Sequence, residues 1–428
     1  MFGIFLGLAL LMILAYRGMS IIWIAPICAL VVGLTGGLDL LPMYTDTYMT
    51  GFVGFTKSWF PTFMLGAIFG KIMDESGGAR SIASWIAKVL GAKRAMLAIV
   101  LGCAVLTYGG ISLFVVVFAV YPLALALFRE ANITRKLIPG AIALGAFGFT
   151  MTAVPGSPQI QNLIPMKYFG TTATAAPILG IVATISMLVL GMAWLSYREK
   201  QYTAKGEGFI EPDKKVDSTD HEHMMNPALA ILPLIIVVVV LNVLKQNIVV
   251  ALAAGIIAGI AVGFTRLKNL QKTINDGAAG SVLAIINTSA AVGFGSVVRA
   301  VPGFKDLTNL LLGIQGNILI SEAVAVNALA GATGSASGGM GIALEALGAK
   351  YMELATSTGV SPEALHRIAS LSSGGLDTLP HNGAVLTLLA VTGLTHKDSY
   401  LDIMMTSLVN PIIATVICII LYAGFGIL

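Results

Sequence analysis

Long apolar runs, interrupted by glycine and proline at a few places, dominate the pattern of this chain. Uncharged stretches cover Ala95–Phe128, Leu137–Met166, Tyr168–Tyr197, Gly277–Val298, Ala323–Leu344 and Ile403–Leu428. A helix needs about 20 largely apolar residues to cross the hydrocarbon core of a bilayer, so the pattern predicts roughly ten or more membrane segments. Phe2–Tyr16 is predicted as the first of them. It has neither the basic n-region nor the small-residue cleavage site of a signal peptide. The fold class expected is an all-α polytopic membrane protein.

Polar positions collect in one place. Arg198 to His223 holds 12 charged residues, and the stretch 198–225 is the predicted soluble linker between two halves, 1–197 and 226–428. His221 and His223 fall within it and are read as linker residues rather than metal ligands. A shift of 225 residues superposes Gly78 on Gly303, Gly109 on Gly334, Ser112 on Ser337 and Pro155 on Pro380. These matches fall where apolar runs are interrupted, which predicts a duplicated architecture.

Composition sharpens the class. Hydrophobic residues make up 57% of the 428 and charged residues 11%, against about 25% charged in soluble domains, which excludes a water-soluble globule. The net charge of +4 is scattered over loops without a basic, aromatic-interleaved patch, so nucleic acid is excluded as a partner. Cys28, Cys103 and Cys418 lie far apart in apolar runs. They predict neither a metal site nor a disulfide framework, and no cofactor is expected.

The chemistry is expected at the interruptions. Each half has two: Thr107-Tyr108-Gly109-Gly110 and Pro155–Pro158 in the first, Thr333–Gly339 and Pro380–Gly383 in the second. Ala95–Phe128 would be about 51 Å long as one helix, well beyond the roughly 30 Å hydrocarbon core. A helix–break–helix or a re-entrant hairpin is therefore predicted. Open backbone in lipid leaves N–H and C=O groups unpaired and is tolerated only around a protein-lined or watery cavity. Symmetric broken segments are the best sequence pointer to a transporter site, and helix N-termini at the breaks suit an anion. The predicted substrate-binding residues are Tyr108, Gly109, Gly110, Ser112, Gly156, Ser157, Asn162, Thr333, Gly334, Ser335, Ser337 and Asn382. Isolated glycines such as Gly255 and Gly259 are read as close-packing positions.

Ionisable groups near the interruptions are few. His381, beside Pro380, and Asp377 would share one helix face at a spacing of four. Together they form the predicted proton carrier, since free imidazole titrates near pH 6.5. Glu322 and Glu345 are predicted near the membrane faces, with Glu345 able to reach the cavity. His366-Arg367 and His396-Lys397 read as ordinary loop or helix-end groups.

GKIMDESGGARSIASWI (Gly70–Ile86), TGSASGGMGIALEA (Thr333–Ala346) and LDTLPHNGAVLTLLAVTGLTHKDSY (Leu376–Tyr400) resemble the gluconate permease family of the ion transporter superfamily. The last stretch looks most like its 3-hydroxybutyrate permease branch. Where that family carries a first-half break rich in Pro and His, this chain reads AVPGSPQIQN. The resemblance implies an inner-membrane, proton-coupled symporter for small hydroxy-carboxylates. It also implies inverted repeats, re-entrant hairpins, an elevator arrangement and a homodimer in the lipid bilayer. Coupling to Na⁺ through Ser157, Asn162, Ser337 and Asn382 is the alternative. A channel finds no charged ring or carbonyl filter. An intramembrane serine hydrolase built on Ser335–Gly338 and His381 is the alternative from another class.

Overall fold

The computed structural model describes every residue except 18, 213–224, 313–316 and 381, so His381, His221 and His223 lie outside the described residues. Among those described the chain is all helix, without strands. Three unbroken helices are long and apolar enough to span a bilayer: Pro177–Ala204, Leu270–Ala300 and His396–Phe425. Gly78–Leu90 and Ala92–Tyr108 pass together as a pair bent by 104°. The expected ten or more spans are thus not ten uninterrupted rods. Most apolar runs are cut into pieces of 10–17 residues, because glycine and proline end them halfway.

The order of these pieces repeats. A shift of 225 carries Phe2–Tyr16 to 227–241, against the helix Pro227–Asn242, and carries Ala95–Tyr108 to 320–333, against Ile318–Thr333. The long helix Met49–Glu75 meets its counterpart Leu270–Ala300 in the most extensive contact of the molecule. The two run antiparallel. A Cβ on Gly51 would lie 2.0 Å from Ser296 Oγ, and one on Gly277 would lie 2.7 Å from Ile68 Cα at the opposite end. Between these ends Tyr48 donates to Ala290 O at 3.1 Å, and the Thr56 and Ser289 hydroxyls meet at 2.8 Å. A second counterpart pair is antiparallel too. Asn410 donates to Met187 O at 2.9 Å, and Ile178 N–H donates to Leu428 O at 3.1 Å. Antiparallel counterparts are what a two-fold axis lying across the helices produces.

The halves also exchange partners. Ile248–Gly263 of the second half packs on Met49–Glu75, and Ile21–Thr35 of the first packs on Leu270–Ala300. Gly255 and Gly259 make the former contact possible, since a Cβ there would come within 3.3 Å of Phe69 and 3.1 Å of Ile72 respectively. The polar stretch after residue 197 is not wholly linker. Its first residues continue the helix to Ala204, where the Arg198 Nε binds Asp402 at 2.9 Å. Beyond it, Glu207 pairs with Lys136 and Glu211 with Arg129, at 2.7 and 2.6 Å.

Candidate substrate site

Two hairpins and two broken helices build the site. In the first half Ala95–Tyr108 and Leu113–Glu130 pack side by side around a tip at Gly109–Ser112. Gly110 takes a φ of +96° there, a region costly to any other residue. The tip is tied to the next break. Tyr108 donates to Pro155 O at 3.3 Å, and Gln159 Nε2 donates to Thr107 O at 2.6 Å. In the second half the tip is narrower than the Thr333–Gly339 predicted. Gly334, at φ +59°, ends Ile318–Thr333, and Ser335 already caps Ala336–Thr358 by accepting from Gly338 N–H at 3.1 Å. Ser337, Gly338 and Gly339 are therefore helical. Thr333 keeps its hydroxyl on Leu329 O at 2.9 Å, within its own helix.

The fourth break runs from Gly374 to Asn382, wider than predicted, with Gly383 the first residue of the following helix. Asp377 sits on a short 3₁₀ turn, and Leu379 beyond it is extended at ψ 158°. The described chain is not α-helical from Asp377 to Pro380, and the other member of the predicted pair, His381, lies outside the described residues. Asp377 is nonetheless buried, and its Oδ1 has no hydrogen-bond partner. Asn382 fastens this break to the hairpin tip. Its Nδ2 donates to Gly334 O and Asp377 O, both at 2.9 Å, and its Oδ1 accepts from Ala384 and Val385 N–H. The breaks thus meet in pairs within each half. The pairs join where Ser370 Oγ donates to Thr152 O at 2.7 Å, and where a Cβ on Gly374 would lie 2.8 Å from Thr152.

Several of the predicted ligands, Tyr108, Thr333 and Ser335 among them, have side chains engaged with protein, and Asn162, Ser157 and Asn382 are the most fully engaged. Asn162 uses its whole amide on protein: Nδ2 donates to Ser157 O and Ala173 O, and Oδ1 faces His366 and Arg367. The Ser157 hydroxyl donates to Thr150 O at 2.9 Å and accepts from Gln159 N–H, and Asn382 is engaged as described. Gly156 accepts Asn242 on its carbonyl and donates to Ala173 O. Ser112 and Ser337, related by the 225-residue shift, are different. Neither hydroxyl has a partner, although Ser337 is only 8% exposed. Among the described residues they are free hydroxyls at the two tips, as is the buried Thr107 Oγ1 beside the first.

The charge came from an unexpected place. His366 and Arg367, read as helix-end groups, are both completely buried in Pro362–Ser373. The Arg367 guanidinium reaches across to the first-half break. It donates to Ala175 O at 2.7 Å, Ala153 O at 3.2 Å and Asn162 Oδ1 at 3.1 Å. Among the described residues it makes no ion pair; the carboxylate that acts on it through space is Glu363, one turn earlier on the same helix. His366 bridges Thr171 Oγ1 and Asn162 Oδ1, at 2.6 and 3.2 Å, and His396, read as a loop or helix-end group, sets its Nε2 3.0 Å from Pro380 O in the fourth break. Glu322, near the start of Ile318–Thr333, is the other unusual acid. It is fully buried, and neither carboxyl oxygen has a partner. Glu345 is half-buried, bound to Arg299 at 3.2 Å and to Tyr168 OH at 3.0 Å. Among the described residues no cluster of His, Cys, Asp and Glu has metal-site geometry.

Comparison places these features among transporters. The profile of GntP family permeases matches residues 1–248. The uncharacterized transporter YxjC of Bacillus subtilis is 45% identical, with 95% of each chain covered. The high-affinity gluconate transporter of Escherichia coli is 24% identical over 98% of this chain and 97% of its own. The fold is that of the Alcanivorax borkumensis YdaH transporter, described as having an unusual topology. The TM-score is 0.60 at 15% identity, over 91% of this chain and 90% of that one. The protein is a multi-pass membrane permease rather than an enzyme, and the hydrolase reading of Ser335–Gly338 falls. With nearly the whole length shared at 45% identity and the family profile covering the first half, the chain belongs to the GntP family of permeases.

Proposed function

We propose that this permease is a proton-coupled symporter of small hydroxy-carboxylates, of gluconate or 3-hydroxybutyrate type, in the inner membrane. The observation that carries the reading is the pair of unengaged hydroxyls, Ser112 and Ser337, at symmetric tips, with the buried cation of Arg367, hydrogen-bonded to carbonyls rather than ion-paired, at the adjoining break. Hydroxyls and the backbone N–H groups at the tips hydrogen-bond a carboxylate, and a nearby fixed cation offsets its charge in a low-dielectric site. The name of the Escherichia coli relative supports an organic anion as substrate. Sodium is the weaker reading: of its four proposed side chains, Ser157, Asn162 and Asn382 are engaged with protein, and Asn162 Oδ1 faces a guanidinium.

His381 and Asp377 carry the coupled proton in this reading, Asp377 being a buried carboxyl at the break. The two tips differ in surroundings, as an elevator at one end of its travel would have them. The first lies under Leu234, Val237 and Leu252, while the helix that follows the second runs on to Glu345 in the wall of an open cavity. A homodimer would hold the outer helices still. Uptake of gluconate and of 3-hydroxybutyrate into proteoliposomes tests the proposal. Accumulation is expected with an inward pH gradient and no sodium, and is expected to vanish in His381→Gln while substrate-for-substrate exchange survives. Accumulation driven by sodium alone would refute proton coupling.

A further inference from the structure

A cavity of about 540 Å³ opens between the ends of the two long helices and the second hairpin. That volume lies within the range of small-molecule sites. Its floor is Phe55 and Val292, both buried, and Gly341 abuts it: a Cβ there would meet Val292 at 2.9 Å. Gly341 lies four residues beyond Ser337, about 6 Å along the helix, so one helical turn separates the floor from that hydroxyl. Four charged residues line the walls: Asp46, Lys167, Arg299 and Glu345. Two of them satisfy each other. Glu345 receives Arg299 on one oxygen and the Tyr168 phenol on the other. Lys167 has no carboxylate partner, its Nζ lying 5.3 Å from the Tyr168 ring. Asp46 accepts only from Thr45, at 3.2 Å. Both are exposed, and the hydroxyls of Thr47, Thr50 and Ser296 line the space with them.

We propose that this cavity is an antechamber that binds a hydroxy-carboxylate before it reaches the tip, with Lys167 taking the carboxylate and Asp46 accepting from the hydroxyls. An unpaired cation and an unpaired acceptor in one hydroxyl-lined space match a ligand that has an anionic end and a donor-rich body. A simple anion would leave Asp46 facing it. The proposal rests on the reading of the chain as a hydroxy-carboxylate carrier, and the test separates the two. Cys28, Cys103 and Cys418 are buried, so Thr50→Cys places a reactive thiol in the cavity wall. Its modification rates by an anionic sulfonate and by a cationic trimethylammonium thiosulfonate report the local charge.

Lys167→Gln is expected to lower the anionic-to-cationic rate ratio by about three- to tenfold, Asp46→Asn to raise it, and Lys167→Arg to restore it. Gluconate should slow the modification, and Lys167→Gln should raise the gluconate KM for transport more than it lowers kcat. Rate ratios that move in neither variant overturn the antechamber. So does protection by L-serine without protection by gluconate. If the ratios shift and gluconate protects, but the liposomes carry no gluconate, the transport reading fails and the antechamber stands.

Discussion

Without its guanidinium, Arg367 would leave Ala153 O and Ala175 O without their side-chain donor, and Asn162 Oδ1 with His366 alone, all inside the protein. Buried acceptors without partners cost about 1–3 kcal/mol each. Arg367→Met is therefore expected to lower the melting temperature of the detergent-solubilised protein and to abolish transport. Arg367→Lys keeps the charge but loses the fork, so it should fold with a smaller loss and retain weak uptake. If Arg367→Met melts and transports like the parent, the residue has no part in the site. Nothing nearby in the sequence announced this role. The carbonyls that Arg367 serves lie about 200 residues earlier in the chain, and they become its partners only when the helix Pro362–Ser373 docks. The one visible signal was two adjacent ionisable residues in a helix otherwise nearly free of charge. The free serines were legible, because Ser112 and Ser337 stand at matched glycine breaks. Ser157, Asn162 and Asn382 read identically at that level, and only their hydrogen-bond partners in the folded chain distinguish them from the two free hydroxyls.

At the scale of elements, the second hairpin depends on backbone touching backbone. A Cβ on Gly339 would lie 2.1 Å from Ala330 N and 2.2 Å from Ala330 Cα. No rotamer relieves such a clash, so Gly339→Ala should force the two arms apart. The expected cost is about 1–3 kcal/mol or more, read as a lower melting temperature together with lost uptake. Gly280→Ala is the matched control. It lies in the helix Leu270–Ala300 with nothing within 4 Å, and helix propensity predicts a gain of up to about 1 kcal/mol. Equal melting temperatures for the two variants would refute the contact. The sequence pattern located all four interruptions but misjudged their widths. A run of glycine and serine looks like open chain, yet one left-handed glycine and one capping serine are enough to turn it. The rest of that run is helix because small side chains let the arms approach.

Over the whole molecule, the linker is tied down by charge. The Lys136 hydrogen bond holds the Glu207 carboxyl below the ordinary 4.5, and Arg129 does the same for Glu211. Both lowered values mean that docking is favoured above the ordinary carboxylate range and is lost as pH falls through the lowered values. Limited proteolysis after residue 204 should therefore be slow near neutral pH and quicken below about pH 4. Glu207→Gln with Glu211→Gln should make it fast at every pH. Cleavage that ignores both changes would show that these pairs do not hold the segment. The interlocking of the halves has a different consequence, for how the protein is made. Met49–Glu75 lacks its main partner until Leu270–Ala300 emerges some 225 residues later. At 5–20 residues per second that is roughly 10 to 45 s of synthesis. During that interval a helix lined with threonine, serine and lysine waits in or beside the bilayer. The insertion machinery must shelter it, and a ribosome that stalls midway leaves a half-protein marked for the quality-control proteases of the membrane.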